Sequence, residues 1–333
     1  MRADLPNNNN SGDTSMTQKH IFGPVLSRRL GLSLGIDLVP FKTCSYDCAY
    51  CECGHTTEKT VTRQDFFPAF EVMAELREVL ASHPRLDSIT LAGSGEPTLA
   101  RSLGPIIAWV KREYPEYTLS VLTNGSLLTD RNVREELLPA NRVIPTLTTA
   151  SQQTFERIHN PHPSLKIDAI IRGMEEFRAI YKGALWLEVF IIPGLNTTDE
   201  ELAGLKRAID RIDPDSVQLN TLDRPPAEGW VEAASDVELE RIIRKLGRTR
   251  GVEITGPRPP LTAAAQVKTG ATDLIRATLH RRPSTVLDLV RTTGLSGGEV
   301  AKVLGTLERA GEVTSKRMAR GVFYAICQKP EET

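Results

Sequence analysis

From about Ile21 to Gly256 the chain alternates between short apolar segments and longer segments with helical periodicity. The strand-like segments are LSLGIDLVP, LDSITLAG, YTLSVLTN, RVIPTLTT, ALWLEVFII and DSVQLNT. The helical segments between them include FFPAFEVMAELREVLASH, SLGPIIAWVKREY, DAIIRGMEEFRAIYK and DEELAGLKRAIDRI. Strands that alternate with helices of about 10 to 15 residues form βα units. We therefore predict an α/β fold built on a parallel sheet.

Polar and apolar side chains alternate within these strands. In ALWLEVFII, Leu187 and Val189 fall on one face and Glu188 on the other, as the pleat of a strand requires. The residues of the predicted polar face are Thr90, Thr146, Thr148, Glu188, Gln218 and Asn220. A closed barrel would need branched apolar residues there, so this row predicts a partial barrel with a polar interior. Glu188 would either contact substrate or form a salt bridge.

Four of the five cysteines lie in one short stretch, CSYDCAYCEC. An odd number of crowded cysteines argues against a disulfide scaffold and for thiols that serve metal binding or chemistry. Cys44, Cys48 and Cys51 have the spacing C-x3-C-x2-C. They can bind three irons of a [4Fe–4S] cluster and leave the fourth iron open. The alternative is a zinc site that adds Cys53, although the single intervening residue makes tetrahedral chelation poor.

The stretch CSYDCAYC resembles the motif of the radical S-adenosylmethionine (SAM) superfamily, in which an aromatic residue, here Tyr50, precedes the third cysteine. The resemblance implies a [4Fe–4S] cluster whose open iron binds SAM. It also implies reductive cleavage of SAM to a 5′-deoxyadenosyl radical that abstracts hydrogen from a substrate. An electron donor such as a flavodoxin or a ferredoxin would reduce the cluster.

Three later motifs are similar to those with which this superfamily binds SAM. LAGSGEPTL ends the second predicted strand, TNG ends the third and LNT ends the sixth. By this resemblance Glu96 would pair with the methionyl ammonium, and Gly95 would let the backbone approach the ligand. Asn124 and Asn220 would bind the ribose or carboxylate of SAM, or would only serve turns. The residues implied in SAM binding are Tyr50, Gly93, Gly95, Glu96, Thr123, Asn124 and Asn220.

Over residues 22–228 the resemblance narrows to bacterial proteins related to tRNA wyosine synthases. It rests on FGPVLSRRLGLSLGIDLVPFKTCSYDCAYC, SGEPTL, HNPHP, LWLEVFIIPGLN and VQLNTLDRPPAE. It implies a partial (βα)6 barrel similar to that of triosephosphate isomerase. The residues implied in substrate contact are Lys42, Arg224 and the pair His159 and His162. Wyosine synthases carry further cysteines for a second cluster. This chain has no cysteine before Cys44, so their reaction is an analogy.

The last part of the chain differs in character. GPRPPLTAAAQ is rich in proline and small residues, and we predict a linker over residues 257–266. Over residues 267–328, LDLVRTTGLSGGEV indicates a helix-turn-helix and EVTSKRMARGVFYAI indicates a β-hairpin, which together predict a small winged helix-turn-helix domain. Ser296 and Glu299 form a capping box there. The other predicted boundaries are a disordered tail at 1–20, a radical SAM core at 21–256 and a tail at 329–333.

Charge is distributed unevenly along the chain. The whole chain has 41 Lys and Arg residues against 42 Asp and Glu residues, a net charge of −1. From Ala264 to Gln328 there are ten basic and five acidic residues, a net charge of +5. Such an excess favours contact with a phosphate backbone. The residues predicted to make this contact are Lys302, Lys316, Arg317 and Arg320. Docking of a protein or peptide and dimerisation are the alternatives.

No stretch of 18 or more apolar residues occurs, so we expect no contact with the membrane interior. The segment SRRLG is superficially similar to a twin-arginine export signal. However, the residues after it include Asp37 and contain neither an apolar core nor a small-residue cleavage site. We therefore expect a cytoplasmic protein.

The sequence thus predicts a cytoplasmic radical SAM enzyme that acts on tRNA or another RNA. A second hypothesis keeps this chemistry but makes the substrate a peptide or protein, with the winged helix as the docking module. A third is an iron–sulfur DNA-binding regulator that uses the cluster as a sensor. The presence of Glu96 and the strand-end motifs counts against the third hypothesis, because a sensor does not need a SAM pocket.

Overall fold

The computed structural model of the chain describes residues 20–247, 251–255 and 271–327. The predicted linker at 257–266 and the predicted tails at 1–20 and 329–333 lie outside these residues, apart from His20. In the described part of the chain, no helix is both long enough and apolar enough to cross a membrane.

A curved sheet forms the main body of the molecule. The strands up to residue 255 are β1 (Ile21–Ser27), β2 (Gly31–Ile36), β3 (Thr43–Cys44), β4 (Glu58–Lys59), β5 (Ser88–Leu91), β6 (Leu119–Thr123), β7 (Arg142–Pro145), β8 (Ala184–Phe190), β9 (Ser216–Asn220) and β10 (Val252–Ile254). The sheet has the order β1–β2–β5–β6–β7–β8–β9–β10, and β3 pairs with β4 separately. β1 is antiparallel to β2, and the later neighbours are parallel. The predicted α/β fold with a parallel sheet is confirmed.

Helices cover the apolar face of this sheet. They are α1 (Ala69–Leu80), α2 (Leu103–Glu113), α3 (Arg131–Leu137), α4 (Gln152–His159), α5 (Ile167–Ile180), α6 (Asp199–Ile212) and α7 (Asp236–Leu246). Leu187, Val189, Val217 and Leu219 are each at most 1% exposed and belong to the main core. The predicted outward face is therefore confirmed. The sequence predicted α1, α2, α5 and α6 but not the other three helices.

The opposite face of the sheet is polar, as predicted. In the interior, Ser33 Oγ lies 2.6 Å from Thr90 Oγ1, and Ser88 Oγ donates to Ser120 Oγ at 3.0 Å. Within the described residues the edge strands β1 and β10 are not neighbours, so the barrel is partial and open between them. These features confirm a partial barrel with a hydroxyl-lined interior.

Residues 271–327 form a C-terminal unit with its own core. Its elements are α8 (Ala271–Arg281), β11 (Ser284–Thr285), α9 (Val286–Thr293), α10 (Gly297–Arg309), β12 (Val313–Met318) and β13 (Gly321–Ile326). The strands form an antiparallel sheet in the order β11–β13–β12. The capping box of Ser296 and Glu299 is present at the start of α10. The winged-helix interpretation of this unit and the domain boundaries stay predictions.

Candidate active site

The cysteine loop follows the carboxyl end of β2 and is held by later parts of the chain. Ser45 Oγ lies 2.7 Å from Ser126 Oγ, in the turn after β6. The N–H of Asp47 donates to the carbonyl oxygen of His159 at the end of α4, at 2.9 Å. The loop is therefore fixed from two sides by elements that come 80 or more residues later.

The thiols of Cys44, Cys48 and Cys51 lie close to one another on this loop. Burial raises the pKa of Cys44 to about 12, and the nearby carboxylate of Glu96 contributes to this shift. Burial also raises the pKa of Cys48, and the charges of the other two thiolates add to the effect. The three half-buried thiols therefore lie within range of one another's charges.

Cys51 differs from the other two because its thiolate is stabilised. Hydrogen bonding with Cys53 and the ammonium of Lys42 lower the pKa of Cys51 to about 6. Lys42 Nζ lies 3.1 Å from Cys51 Sγ. Lys42 thus contacts the cysteine loop, and its predicted substrate contact stays a prediction. Cys53 Sγ lies 3.0 Å from the carbonyl oxygen of Arg281 in the C-terminal unit.

His159 approaches the loop from the end of α4. Its Nδ1 lies 3.1 Å from Cys48 Sγ, and its Nε2 lies 2.6 Å from Thr148 Oγ1. Burial lowers the pKa of His159 to about 3, so the ring is neutral. His162 instead hydrogen-bonds with Ser164 at 2.8 Å. The sequence analysis noted the motif HNPHP but missed the contact of His159 with Cys48.

The carboxylate of Glu96 lies next to the cysteine loop and is held by neutral donors. Oε1 accepts from the N–H of Thr98 at 3.0 Å and from the hydroxyls of Thr98 and Thr123, both at 2.6 Å. Oε2 accepts from the N–H of Asn124 at 2.6 Å. Burial raises the pKa of Glu96, although these hydrogen bonds oppose the shift. No Lys, Arg or His of the described residues forms an ion pair with it, so a ligand cation could serve as its partner.

Gly93 and Gly95 stand where a larger residue would not fit. A Cβ atom on Gly95 would lie 2.1 Å from the carbonyl oxygen of Thr43, and one on Gly93 would lie 2.1 Å from the carboxylate of Asp37. Asp37 also accepts hydrogen bonds from the N–H and the hydroxyl of Ser94, at 3.0 and 2.9 Å. The two glycines therefore let the loop after β5 pack directly on the segment that leads into the cysteine loop.

Thr123 and Asn124 connect Glu96 with the cysteine loop. Asn124 Nδ2 donates to Ser45 Oγ at 2.8 Å and lies 3.6 Å from Cys44 Sγ. Its Oδ1 accepts the N–H two residues further on and so stabilises the turn. Asn124 therefore stabilises a turn, as one of its two predicted roles required. Its side chain also lies beside the cysteine loop. Its contact with SAM stays a prediction.

Asn220, at the end of β9, belongs to a different group of side chains. Its Nδ2 donates to Glu188 Oε1 at 2.9 Å, and its Oδ1 accepts from Arg28 Nη2 at 3.1 Å. Glu188 also forms an ion pair with Arg29 at 2.7 Å and accepts from Thr146 Oγ1 at 3.2 Å. Although burial opposes it, Arg29 and these hydrogen bonds hold the pKa of Glu188 below its usual value. The predicted salt-bridge alternative for Glu188 is therefore observed.

Tyr50, which lies on the cysteine loop, packs against the end of β8. Its ring stacks on that of Phe190, with centroids 3.9 Å apart and planes 9° apart. Both belong to an apolar cluster that includes Ala49, Ile158 and Val231. This cluster joins the loop to the end of β8.

Arg224 follows β9 and is turned towards the C-terminal unit. Its Nε lies 2.7 Å from Glu52 Oε2, and its Nη1 lies 3.3 Å from Asp288 Oδ2. Nη1 also donates to the carbonyl oxygen of Pro283. The guanidinium, only 3% exposed, is thus committed to protein groups. The structure gives no support to the predicted contact of Arg224 with substrate.

The four basic residues predicted to contact nucleic acid do not share one environment. Lys302 on α10 and Lys316 and Arg317 on β12 are exposed. Arg320, between β12 and β13, instead forms ion pairs with Asp223 at 3.1 Å and with Asp288 at 2.9 Å. Arg320 therefore serves the contact between the two parts of the chain, and the other three residues are the exposed ones.

The donor set fits an iron–sulfur cluster. Three thiols on one loop supply the soft ligands that such clusters use, and Cys51 is already disposed to ionise. Among the described residues, no three His, Cys, Asp or Glu side chains converge on the position of a single metal ion. A cluster does not require such convergence, because each thiolate binds a separate iron. Glu96, beside the thiols, fits the ammonium group of SAM.

A family model described as the radical SAM superfamily matches residues 38–208, which is about half of the chain and includes the cysteine loop and Glu96. The chain belongs to the radical SAM superfamily. Superfamily membership supports an enzyme and a site for SAM. The predicted relation to wyosine synthases stays a prediction.

Two relatives extend this comparison. Over 319 residues the chain is 34% identical to a protein of Brachyspira hyodysenteriae named GTPase Obg, covering 96% of this chain and 47% of that protein. The chain thus spans about half the length of this relative. Over 224 residues it is 34% identical to a UPF0026 protein of Methanocaldococcus jannaschii, covering 67% of this chain and 69% of that protein.

Among solved structures, the fold is similar to that of a radical SAM methyltransferase from Sphaerobacter thermophilus. The TM-score is 0.53 at 16% identity, and the match covers 67% of this chain and 65% of that one. At this identity the likeness shows the fold alone.

Proposed function

We propose that the chain is an enzyme that binds a [4Fe–4S] cluster through Cys44, Cys48 and Cys51 and binds SAM beside it. When bound and reduced, the cluster and SAM together supply a 5′-deoxyadenosyl radical that abstracts hydrogen from a substrate. The observation that carries the proposal is the position of Glu96: a buried carboxylate without a cationic partner in the described residues lies beside three grouped thiols. An electron donor such as a flavodoxin or ferredoxin would reduce the cluster.

The protein's own residues would bind and orient these groups. The ammonium of Lys42 favours the thiolate of Cys51, and His159 fixes the orientation of Cys48. Glu96 would accept the methionyl ammonium at Oε2, which accepts only one hydrogen bond from the described residues. The apolar cluster around Tyr50 would keep water from the site.

We propose RNA as the substrate class and the C-terminal unit as a winged helix that recruits it. The support is the exposure of three basic residues of this unit, Lys302, Lys316 and Arg317, because exposed basic side chains attract a phosphate backbone. The winged helix would bring the RNA to the barrel, and the base to be modified would enter at the carboxyl ends of the strands. A peptide substrate remains the alternative outcome of the test.

The test is anaerobic SAM cleavage by the full chain. After cluster reconstitution and reduction, 5′-deoxyadenosine is quantified with bulk tRNA, with a peptide library and with neither. The proposal expects cleavage that tRNA accelerates, and it expects the triple substitution Lys302→Ala, Lys316→Ala and Arg317→Ala to abolish that acceleration. Acceleration by peptides but not by tRNA would replace RNA by the peptide hypothesis.

A matched control removes three exposed charges from the barrel instead. The variant with Arg157→Ala, Arg172→Ala and Lys182→Ala, all exposed positions, should keep the response to tRNA. Absence of SAM cleavage by a protein with a full complement of iron would contradict the enzymatic proposal. Binding to DNA that depends on the cluster, without cleavage, would instead favour the regulator hypothesis.

A further inference from the structure

The C-terminal unit packs against the barrel beside the cysteine loop. Its helices α8 and α9 contact the edge strand β1. The ring of His280 meets that of Phe41 edge-on, with centroids 5.1 Å apart, and the guanidinium of Arg281 lies 4.8 Å from the ring of Phe22. The unit therefore rests on the segments that precede the cysteine loop as well as on the open edge of the barrel.

A chain of charged side chains, two of them buried, joins this unit to the cysteine loop. Glu52, between the third cluster cysteine and Cys53, pairs with Arg224 at 2.7 Å, and Arg224 continues to Asp288 at 3.3 Å. Arg224 and Asp288 are each only 3% exposed. Asp288 also caps its own helix by accepting the N–H of Thr285 at 3.2 Å. Charges at such depth are tolerated when they are paired, so the buried guanidinium of Arg224 needs its two carboxylate partners, while Asp288 also pairs with Arg320 at 2.9 Å.

A second contact runs through α8. The carbonyl oxygen of Arg281 accepts the thiol of Cys53 at 3.0 Å. The charge of the Arg281 guanidinium also acts on Asp37, whose carboxylate holds the backbone and hydroxyl of Ser94. One residue of the C-terminal unit therefore contacts the cysteine loop directly and influences the loop that carries Glu96.

We infer that the C-terminal unit is a working part of the catalytic site, and that Arg224 and Asp288 are positioning residues that hold the end of the cysteine loop through Glu52. The inference rests on the proposed function and goes beyond it, because recruitment of a substrate does not require contact with the cysteine loop. A unit that served recruitment alone could be displaced without any effect on that loop.

The first experiment measures hydrogen–deuterium exchange in the full chain prepared without iron or SAM. The reporters are the N–H of Gly54, which donates to Cys51 at 3.2 Å, and the N–H of Thr56, which donates to Asp47 at 2.8 Å. In Arg224→Met and Asp288→Asn we expect exchange at both reporters to accelerate by about tenfold. Arg224→Lys keeps the charge and should restore much of the protection.

The matched control is Asp273→Asn. Asp273 lies on α8 and forms an exposed ion pair with Arg276 within the C-terminal unit. In the Asp273→Asn variant, the exchange rates at the two reporter amides should equal those of the wild type. Amides of α10 report whether the unit itself stays folded. Loss of protection at α10 together with the loop would still show that the loop depends on the unit.

The second experiment follows iron in the reconstituted protein. If the end of the loop is released, a chelator should remove iron from Arg224→Met about ten times faster than from the wild type, and Asp273→Asn should match the wild type. Unchanged exchange and unchanged iron loss in Arg224→Met and Asp288→Asn would overturn the inference. The exchange experiment does not depend on SAM cleavage. If the wild-type protein failed to cleave SAM, that result would overturn the proposed function but not the role of Arg224 and Asp288 in holding the loop.

Discussion

Glu96 is buried after the end of β5, and Glu188 is largely buried within β8. The surroundings of these two glutamates differ in one respect. Neutral hydroxyl and N–H donors hold Glu96, and burial raises its pKa. Glu188 has an ion pair with Arg29 at 2.7 Å in addition to its hydrogen bonds, and its pKa lies below the usual value. Burial acts in the same direction on both carboxylates, so the cation decides the sign of the shift.

This difference distinguishes a glutamate whose charge is used within the protein from the glutamate that we propose binds a ligand. The charge of Glu188 is used within the protein, where it ties the turn between β1 and β2 to β8. The charge of Glu96 has no cation among the described residues and therefore costs stability. Proteins retain such a cost where a ligand uses the group, and the ammonium of SAM would be the ligand cation here.

The largest effect should arise at the thiols beside Glu96. Cys48→Ala removes one of three ligands of the proposed cluster, so SAM cleavage should fall to the level of a protein-free control. The measurement is 5′-deoxyadenosine formed under reducing conditions. Cys327→Ala, in the C-terminal unit, should keep wild-type activity and iron content. Cleavage by Cys48→Ala at the wild-type rate would remove the cysteine loop from the site.

The next effect should separate the two glutamates directly. Glu96→Gln should weaken SAM binding by about 100-fold, because a charge-assisted hydrogen bond contributes about 3 kcal/mol at most. Glu188→Gln should change the affinity by less than about threefold, since its charge is already paired. Equilibrium dialysis with the reconstituted protein measures both. Equal weakening by the two substitutions would contradict the distinction.

For the free energy of unfolding, in contrast to SAM affinity, Glu188→Gln should have a large effect. Glu188→Gln leaves the charge of Arg29 largely buried without its partner and should lower the free energy of unfolding by about 3 kcal/mol. Chemical denaturation of the iron-free protein measures this loss. Glu175→Gln removes a more exposed ion pair with Arg211 and should cost less than about 1 kcal/mol. Similar losses in the two variants would show that the Arg29–Glu188 ion pair contributes no more to stability than the more exposed Arg211–Glu175 pair.

The smallest effect should be a pH dependence of stability whose sign is opposite for the two glutamates. The folded-state pKa of Glu188 is lowered, so its charge stabilises the fold above the ordinary pKa, and this contribution is lost as pH falls through the folded pKa. The pKa of Glu96 is raised, so the penalty on its charge is relieved as pH falls. From about pH 6 to about pH 3, the stability of the wild type should decrease relative to Glu188→Gln and increase relative to Glu96→Gln. Shifts of the same sign would contradict this assignment.

The features that the sequence predicted depend on local patterns. The parallel sheet follows from the alternation of strand-like and helical segments, and the position of Glu96 beside the cysteines follows from the resemblance of the motifs at successive strand ends. The strand β1 was missed because it contains Pro24 and is irregular between Phe22 and Val25, so the alternation is broken. The strand β10 has only three residues, too few for a periodic signal.

The missed contacts join residues that are far apart in the chain. Cys48 and His159 are separated by 111 positions, and Arg224 and Asp288 by 64. No periodicity or local motif encodes which arginine meets which carboxylate, because the pairing depends on how complete elements pack. For this reason the sequence placed Arg224 at a substrate and Arg320 on nucleic acid, whereas both form ion pairs at the contact between the two parts.

The contact of Cys53 with Arg281 also sets an order of events during synthesis. The two residues are 228 positions apart, so at about 5 to 20 residues per second the ribosome needs roughly 10 to 50 s to travel from one to the other. Throughout that interval the cysteine loop is outside the ribosome without its partner from α8. A cell that inserts iron only into the finished chain would deliver it to a loop that is already held in place.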